Sequence, residues 1–376
     1  MNRRRFVAGC SGCLVAGLAA AQDWASPARF TRPELATDEG GLWALMDREE
    51  TRLRRSPFAL RDTELHAYVQ DITCRLAGDH CPDVRVHLVR TPWFNASMAP
   101  NGMMQVWTGL MLRVDNEAQL AAVLGHEIGH YLQRHTLERL RDIKSRTAFS
   151  QFLGLFGLVG VVGQMGLVAG MFAYGREHES EADRIGALLM RRAGYDASEA
   201  AKIWENLELE IKARPEGEKS SPMFATHPPA EERQQALTDL AAASPGGLSH
   251  AERWQKHVGR YLHEWLSDEV KRGQHEESIA LLARKIASHP RQAEFLHARA
   301  EIYRLRGEET DLQAALADYQ AAATLGSEPA ETHRGMGMIF QRRKDASAAR
   351  ASFLRYLEKA PAAPDAAMVK TYMENL

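Results

Sequence analysis

The sequence predicts an α+β fold that is mostly α, in which a domain with a small β-sheet precedes an all-α repeat domain. Three observations predict it: apolar residues recur at helical spacing, two short segments alternate as strands do, and the last part of the chain carries a repeat. The chain has 376 residues, 45% of them hydrophobic, so two domains with real cores are expected. Its 47 basic and 49 acidic residues give no basic field, which argues against a nucleic-acid partner.

The N-terminus has the character of an export signal. Three arginines at positions 3–5 precede an uncharged apolar stretch, residues 6–20, which ends in small residues. This order predicts a secretory signal over residues 1–21, cleaved before Gln22, and the arginines resemble a twin-arginine signal. An uncleaved membrane anchor is the alternative, although the apolar stretch is short for the ~20 residues of a span.

Two cysteines, Cys74 and Cys81, would remain after cleavage. In an oxidising periplasm this close pair predicts a disulfide across the turn at residues 78–80. The spacing is not that of a Cys-x-x-Cys redox pair, and a zinc site here would lack two ligands.

The segment after residue 60 begins with a helix and two strands. Residues 62–77 show apolar residues at helical spacing behind an Asp/Thr cap. Residues 84–89 alternate as a strand, and residues 103–108 form a second extended segment after a Pro-Asn-Gly turn. Residues 116–135 predict a further helix, and helices then continue to about Leu240.

The linker at residues 244–247 divides the chain, with the break near Pro245. It separates a domain at 22–245 from one at 250–376, where blocks align at the ~34-residue spacing of tetratricopeptide repeats. An ordinary helical bundle is the alternative. Stacked helix pairs present a concave surface, whose usual role is to hold another polypeptide. The residues in register are Gly337, Phe340, Ala349, Phe353 and Pro361; Ala300, Tyr303, Gly307, Ala315, Tyr319 and Ala322; and Gly273 and Pro290 in a degenerate first block.

The clearest candidate for a catalytic site is the sequence His126-Glu127-Ile128-Gly129-His130. On a helix, His126 and His130 project from one face and can bind one zinc ion. Glu127 lies beside them, where it can take a proton from a water that the metal polarises and pass it to the leaving amine. Two incidental histidines on a helix are the alternative, but the preceding apolar, small-residue segment indicates a buried element.

A third ligand is available in the acidic segment at residues 177–183. Spacing alone leaves two pairs open, Glu177 with Glu181 and Glu179 with Asp183, on roughly opposite faces of a helix. His178 is interpreted as a flanking surface residue. His135 is set aside because nine positions along one helix, about 900°, place it opposite His126.

These residues resemble the BepA-type periplasmic zinc metallopeptidases, a gluzincin family related to HtpX and the CAAX prenyl proteases. The resemblance spans roughly residues 62–240. It is carried by residues 126–130, by the segment 176–183, by Thr226-His227-Pro228, and by Asn95-Ala96 with Thr108-Gly109-Leu110. The repeat tail extends it.

The resemblance implies a role for each matching residue. Glu179 would be the third ligand of one zinc ion per chain, and Asp183 would orient a ligating histidine. His227 would occupy the fourth zinc position in a latent enzyme or steady the transition state, with Arg233 as a basic group nearby. Asn95 and Ala96 would belong to an edge strand that a substrate extends. Read without the resemblance, His227 is part of a rigid turn and Arg233 a solvated helix residue.

The function expected is that of a zinc-dependent endopeptidase in the periplasm. By resemblance, it would cleave misfolded or stalled envelope proteins and assist outer-membrane protein assembly, whose machinery the repeat domain could bind. A non-proteolytic assembly factor or chaperone with a structural zinc is the alternative from a different class.

A second uncharged stretch, residues 148–173, is long enough to cross a bilayer. Gln151 and Gln164 interrupt it, and its recurrent glycines weaken a lone helix by roughly 1 kcal/mol each. A bent segment beside the zinc site, or a lid in peripheral contact with the membrane, therefore fits better than a span.

Overall fold

The computed structural model describes residues 24–142 and 174–376, apart from residues 219–220, 228–230, 244 and 290–291. The predicted export signal, the apolar stretch at 148–173, Pro228 and Pro290 lie outside the described residues. Within the described part the fold is α+β and mostly α, which confirms the predicted class.

The first part of the chain combines helices with one small sheet. Thr37 and Asp62 cap the first two helices by accepting hydrogen bonds from the backbone N–H groups of Gly40 and Leu65. A short 3-10 helix, Gly78–Asp83, follows the second. The elements are α1 (Asp38–Arg55), α2 (Thr63–Ala77), β1 (Arg85–Val89), β2 (Ala96–Met98), β3 (Met103–Trp107), α3 (Thr108–Arg113), α4 (Glu117–Leu132), α5 (His135–Asp142), α6 (Arg176–Arg192), α7 (Ser198–Ala213), α8 (Pro222–Thr226) and α9 (Glu231–Ala242).

The sheet has the strand order β1-β3-β2, which leaves β2 at an edge. β1 runs parallel to β3, with Val86 opposite Met104, and β2 runs antiparallel, with Ser97 opposite Gln105. All five residues of β3 are buried, because the strand lies in the middle of the sheet.

Helix α4 is the centre of the core. All sixteen of its residues are buried. It packs against α2, α6, α7 and strand β2. Asn116 caps it by accepting a hydrogen bond from the backbone N–H of Gln119. A helix enclosed on every side can carry polar side chains only where other buried groups meet them, and α4 carries the predicted zinc motif.

The C-terminal part is helical and forms antiparallel pairs, with α13 against α14 and α15 against α16. Gly337 faces the ring of Phe353, and a Cβ there would lie 2.5 Å from a ring carbon, so this small-against-aromatic contact needs glycine. The tetratricopeptide assignment stays a prediction. The elements are α10 (Ala251–Val258), a 3-10 helix (Gly259–Tyr261), α11 (Leu262–Lys271), α12 (His275–Ser288), α13 (Ala293–Arg306), α14 (Asp311–Leu325), α15 (Glu331–Arg342), α16 (Ala346–Lys359) and α17 (Ala366–Glu374).

The two parts share a core and a buried ionic cluster. Trp254, Trp265 and Phe295 belong to the same apolar cluster as α4. The fully buried Arg113 bonds Glu210 of α7 at 2.7 Å and Glu269 of α11 at 3.0 Å. A buried charge needs such partners, and here they tie the C-terminal helices to the first part.

None of the helices in the described residues is both long enough and apolar enough to cross a membrane.

Candidate active site

Four buried side chains come together where α4 packs against α6. One ligand atom from each of His126, His130, Glu179 and His227 lies within 4.8 Å of the others, and all four residues are buried. The helix pattern brings the two α4 histidines together, as the sequence predicts: their Nε2 atoms are 3.0 Å apart. His227 joins them from the end of α8, with Nδ1 3.2 Å from His126 Nε2.

The α4–α6 crossing sets the distance between the histidines and the carboxylate. A Cβ on Gly129 would lie 3.0 Å from the carbonyl oxygen of Ala182, and one on Gly186 would lie 2.9 Å from the backbone nitrogen of His126. These glycines let the two backbones touch. Glu179 Oε1 consequently lies 3.4 Å from His130 Nε2, and its Oε2 lies 3.6 Å from His126 Nε2.

Of the two acidic pairs left open by spacing, Glu179 and Asp183 face the site. Asp183 Oδ1 lies 2.8 Å from His126 Nδ1, so it can accept a hydrogen bond from the N–H at that position. Glu177 is exposed, and Glu181 lies beside His135 instead, at 3.3 Å.

Arg233 is buried and joins the two carboxylates. Its guanidinium donates to Asp183 Oδ2 at 2.7 Å and lies 2.6 Å from Glu179 Oε2. It also lies over the ring of Trp204, at 4.9 Å. Burial would raise the pKa of Asp183, but the hydrogen bond with His126 and the Arg233 charge outweigh burial and lower it. The interpretation of Arg233 as a solvated residue is therefore wrong.

Glu127 lies on the other side of the cluster. Its Oε1 atom is buried without a hydrogen-bond partner and lies 3.6 Å from His227 Nε2. Burial raises the pKa of the Glu127 carboxyl, although the charges of His227 and His126 oppose the rise. A buried, partly unpartnered carboxyl with a raised pKa is typical of a group that moves protons.

His227 is held against both carboxylates. Its Nδ1 lies 2.9 Å from Glu179 Oε1. Burial alone would lower the pKa of this imidazole, but the Glu179 and Glu127 charges outweigh burial and raise it. The short helix α8 carries His227 through a backbone bond from His227 N to Met223 O, 2.7 Å long. His227 is 3% exposed and contacts both carboxylates, so it is more than part of a rigid turn.

The edge strand β2 runs beside Glu127. Backbone bonds from Trp107 N to Asn95 O and from Ala99 N to Met103 O turn those groups toward β3. Because strand residues alternate, the backbone groups of Ala96 and Met98 point to the outer edge, where a hydrogen bond from the Met98 backbone reaches Glu127. In the described part of the chain no strand pairs with that edge.

His135 lies behind His130, on a helix of its own. The predicted helix at residues 116–135 ends at Leu132 and a second helix begins at His135, so the position predicted for His135 from one continuous helix is wrong. Arg134 between them has φ +60°, and the turn brings His135 Nδ1 to 2.9 Å from His130 Nδ1. No glycine or proline marks this break in the sequence.

Three other side chains lie near the cluster, where the sequence does not predict them. Tyr174 stacks on His130 with ring centres 4.0 Å apart, and Trp204 meets the edge of His126 at 6.2 Å. His178, interpreted as a surface residue, is only partly exposed and stacks on His135 at 4.2 Å. Aromatic residues at scattered positions give no spacing signal, so only the fold places them together.

The donor set fits a zinc ion. Three imidazole nitrogens and a carboxylate oxygen are the ligands that zinc takes in proteins. Burial lowers the pKa of His130 well below its usual value, which favours the neutral ring that a metal requires. The sulfur atoms of Cys74 and Cys81 lie 1.99 Å apart and form the predicted disulfide.

Comparison with known proteins agrees with this chemistry. Relatives include a putative beta-barrel assembly-enhancing protease of Vibrio cholerae (29% identity, covering 48% of this chain and 40% of that protein). Two others are the beta-barrel assembly-enhancing protease of Escherichia coli strain K12 (27%, covering 54% and 45%) and the mitochondrial metalloendopeptidase OMA1 of Arabidopsis thaliana (32%, covering 45% and 34%). The chain thus spans less than half the length of these relatives. The sequence model of peptidase family M48 matches residues 59–241, so this segment, which contains the whole cluster, is a peptidase domain of family M48.

Proposed function

We propose that the protein is a zinc-dependent endopeptidase that cleaves polypeptides bound along strand β2. The observation that carries the proposal is the unpartnered Oε1 of Glu127 beside a buried set of His126, His130 and Glu179. A zinc ion held by those three residues would act as a Lewis acid on the peptide carbonyl and make water more acidic.

The residues of the chain supply the remaining steps. The outward backbone groups of Ala96 and Met98 would bind an extended substrate as an added strand, which places its peptide bond beside Glu127. Glu127 would take the proton of the attacking water and deliver it to the leaving nitrogen. Asp183 and Arg233 would hold His126 and Glu179 in place throughout.

His227 would keep the enzyme latent in this arrangement. It lies between Glu179 and Glu127, where water and substrate must enter. With His227 the cluster offers four ligands, and without it three, which is the number that leaves a catalytic zinc position open. A role in steadying the transition state is the alternative for this residue.

The biological setting we propose is the periplasm, with envelope proteins as substrates and a role in outer-membrane protein assembly and quality control. The Cys74–Cys81 disulfide supports an oxidising compartment. Two of the relatives compared above are named as beta-barrel assembly-enhancing proteases. Residues 148–173 would make peripheral contact with the membrane.

The C-terminal helices would hold a client or an assembly partner. Helices α11, α13 and α15 line a groove of about 390 Å³. Its lining includes the apolar residues Leu266, Val270 and Ala298 and the charged residues Glu331 and Arg334. A lining that combines apolar residues with charged groups of both signs suits an extended polypeptide better than a strongly charged ligand.

A non-proteolytic assembly factor with a structural zinc is the second candidate. The observation that favours it is the closed set of four ligands, since structural zinc sites are closed. In that case Glu127 would have no proton to move.

Glu127→Gln distinguishes the two. We expect cleavage of an unfolded protein such as casein to fall by roughly 10²–10⁴-fold with zinc content unchanged, because only the base is lost. Glu177→Gln, on the exposed side of α6, is the matched control and should cleave normally. An assembly assay on the same variants completes the comparison. If neither wild type nor His227→Ala, which frees the fourth zinc position, cleaves casein, the peptidase proposal is wrong, and retained assembly would then support the second candidate.

A further inference from the structure

His135 is a buried histidine that contacts one of the candidate ligands. It is 1% exposed, it opens helix α5, and its Nδ1 lies 2.9 Å from Nδ1 of His130. We infer that His135 is a positioning residue, which fixes the ring orientation and the proton of His130 for metal binding. This inference rests on the proposed metal site and does not require proteolysis.

The positions of the ring nitrogens assign the protons. His130 Nε2 faces the cluster, 3.0 Å from His126 Nε2 and 3.4 Å from Glu179 Oε1, so Nε2 must be the unprotonated nitrogen when a metal is bound. The proton of the neutral ring then lies on Nδ1, and this N–H donates a hydrogen bond to Nδ1 of His135. His135 in turn carries its proton on Nε2, which lies 3.3 Å from Glu181 Oε2.

Each ligand histidine of α4 thus has a hydrogen-bond acceptor at its Nδ1 atom, and the two acceptors differ in kind. His126 Nδ1 meets the carboxylate of Asp183, whereas His130 Nδ1 meets a second imidazole. An acceptor of this kind fixes the tautomer of a metal-binding histidine and raises the basicity of the nitrogen that binds. His135 therefore supplies for His130 what Asp183 supplies for His126.

A turn in the backbone at Arg134 places His135 next to His130. A continuous helix would place a residue five positions after His130 about 140° around the axis. Instead Arg134 adopts φ +60°, a left-handed conformation that is uncommon for a residue with a side chain. The Arg134 guanidinium pairs with Glu39 and lies 5.2 Å over the ring of Phe30, so the segment before the family match holds the turn.

Two further rings stack on the pair, one on each histidine. His178 stacks on His135 with an interplanar angle of 25°, and Tyr174 stacks on His130 with one of 26°. His178 also lies 3.2 Å from Glu138. It therefore provides a control that disturbs the packing of His135 while leaving the His130–His135 bond in place.

Three variants test the inference through zinc affinity, measured by competition with a chelator. His135→Leu removes the acceptor and should weaken zinc binding by roughly 10–100-fold. His135→Asn retains an acceptor, because its Oδ1 lies as far along the side chain as the imidazole Nδ1, and should restore most of the affinity. His178→Leu should bind zinc nearly as wild type does.

The second measurement needs no variant. In wild-type protein loaded with zinc and labelled with ¹⁵N, an N–H···N bond gives a scalar coupling between Nδ1 of His130 and Nδ1 of His135. We expect this coupling, with the proton on His130. Its absence would overturn the inference, as would equal zinc affinity in wild type and His135→Leu, or equal losses in the leucine and asparagine variants, which would indicate packing alone. If the leucine variant does not fold, the coupling decides.

Discussion

The two sides of the cluster are built differently. His126, His130 and Glu179 lie on long helices whose backbones touch at Gly129 and Gly186. His227 lies at the end of α8, a helix of five residues, whose neighbouring contacts are a bond from Tyr174 N to Thr226 O and one from Ser221 to Phe94 O. Three donors are therefore part of the core, and the fourth is held by a short segment.

This difference predicts that three zinc ligands stay in place while His227 can leave. A backbone contact between buried helices cannot open without unfolding, because the interior is close-packed. A segment with few backbone bonds can open locally at a much lower free energy. The construction therefore suits an enzyme whose metal stays bound while one ligand leaves.

The largest effect is expected from breaking the helix crossing. Gly186→Leu places carbon atoms where a Cβ alone lies 2.9 Å from the His126 backbone, so α4 and α6 must separate. We expect the free energy of unfolding in urea to fall by about 3 kcal/mol or more, with loss of zinc binding.

Gly41→Ala is the matched control for that change. Gly41 lies in α1, and a Cβ there meets nothing within 4 Å. Alanine should stabilise the helix by roughly 0.5–1 kcal/mol. Equal urea midpoints for Gly186→Leu and wild type would show that the crossing does not set the site.

A smaller and opposite effect is expected on the His227 side. His227→Ala should raise basal cleavage of casein several-fold while zinc stays bound, because three ligands remain and the space beside Glu127 opens. The measurement is the initial rate together with zinc content. Unchanged or abolished cleavage would count against latency and leave a catalytic or structural role for His227.

The smallest effect should follow removal of zinc by a chelator. The α4 and α6 amides should keep their protection from hydrogen exchange, whereas the amides of Met223, Phe224 and His227 should exchange faster, because only their segment depends on the metal for its position. Mass spectrometry of peptides from both regions provides the comparison. Equal loss of protection in both would remove the distinction between them.

Much of this arrangement follows from local sequence. The cap at Asp62 and the apolar spacing behind it predict a helix at 62–77, and the structure has Thr63–Ala77. The alternation at 84–89 corresponds to strand Arg85–Val89. The spacing of His126 and His130 places both on one face of α4, where their Nε2 atoms meet.

What the sequence could not supply depends on contacts between distant segments. Arg134 carries no turn signal, so local sequence predicts neither the end of α4 nor the position of His135. The ion pair of Arg134 with Glu39, 95 positions away, is visible only in the fold. The choice between Glu177 and Glu179 likewise requires the α4–α6 contact. Helix α1 was not predicted, although Thr37 and the acidic first turn are ordinary start signals.

The ionic cluster around Arg113 connects the C-terminal helices to the peptidase domain through buried ion pairs. A chain cut near residue 245 would retain Arg113 and Glu210 but lose Glu269, and with it the carboxylate that bonds the guanidinium Nη2. Trp265 and Phe295 would leave the shared core at the same cut. Residues 59–241 should therefore be less stable alone than in the whole chain, because part of their core and of the Arg113 cluster lies beyond residue 250.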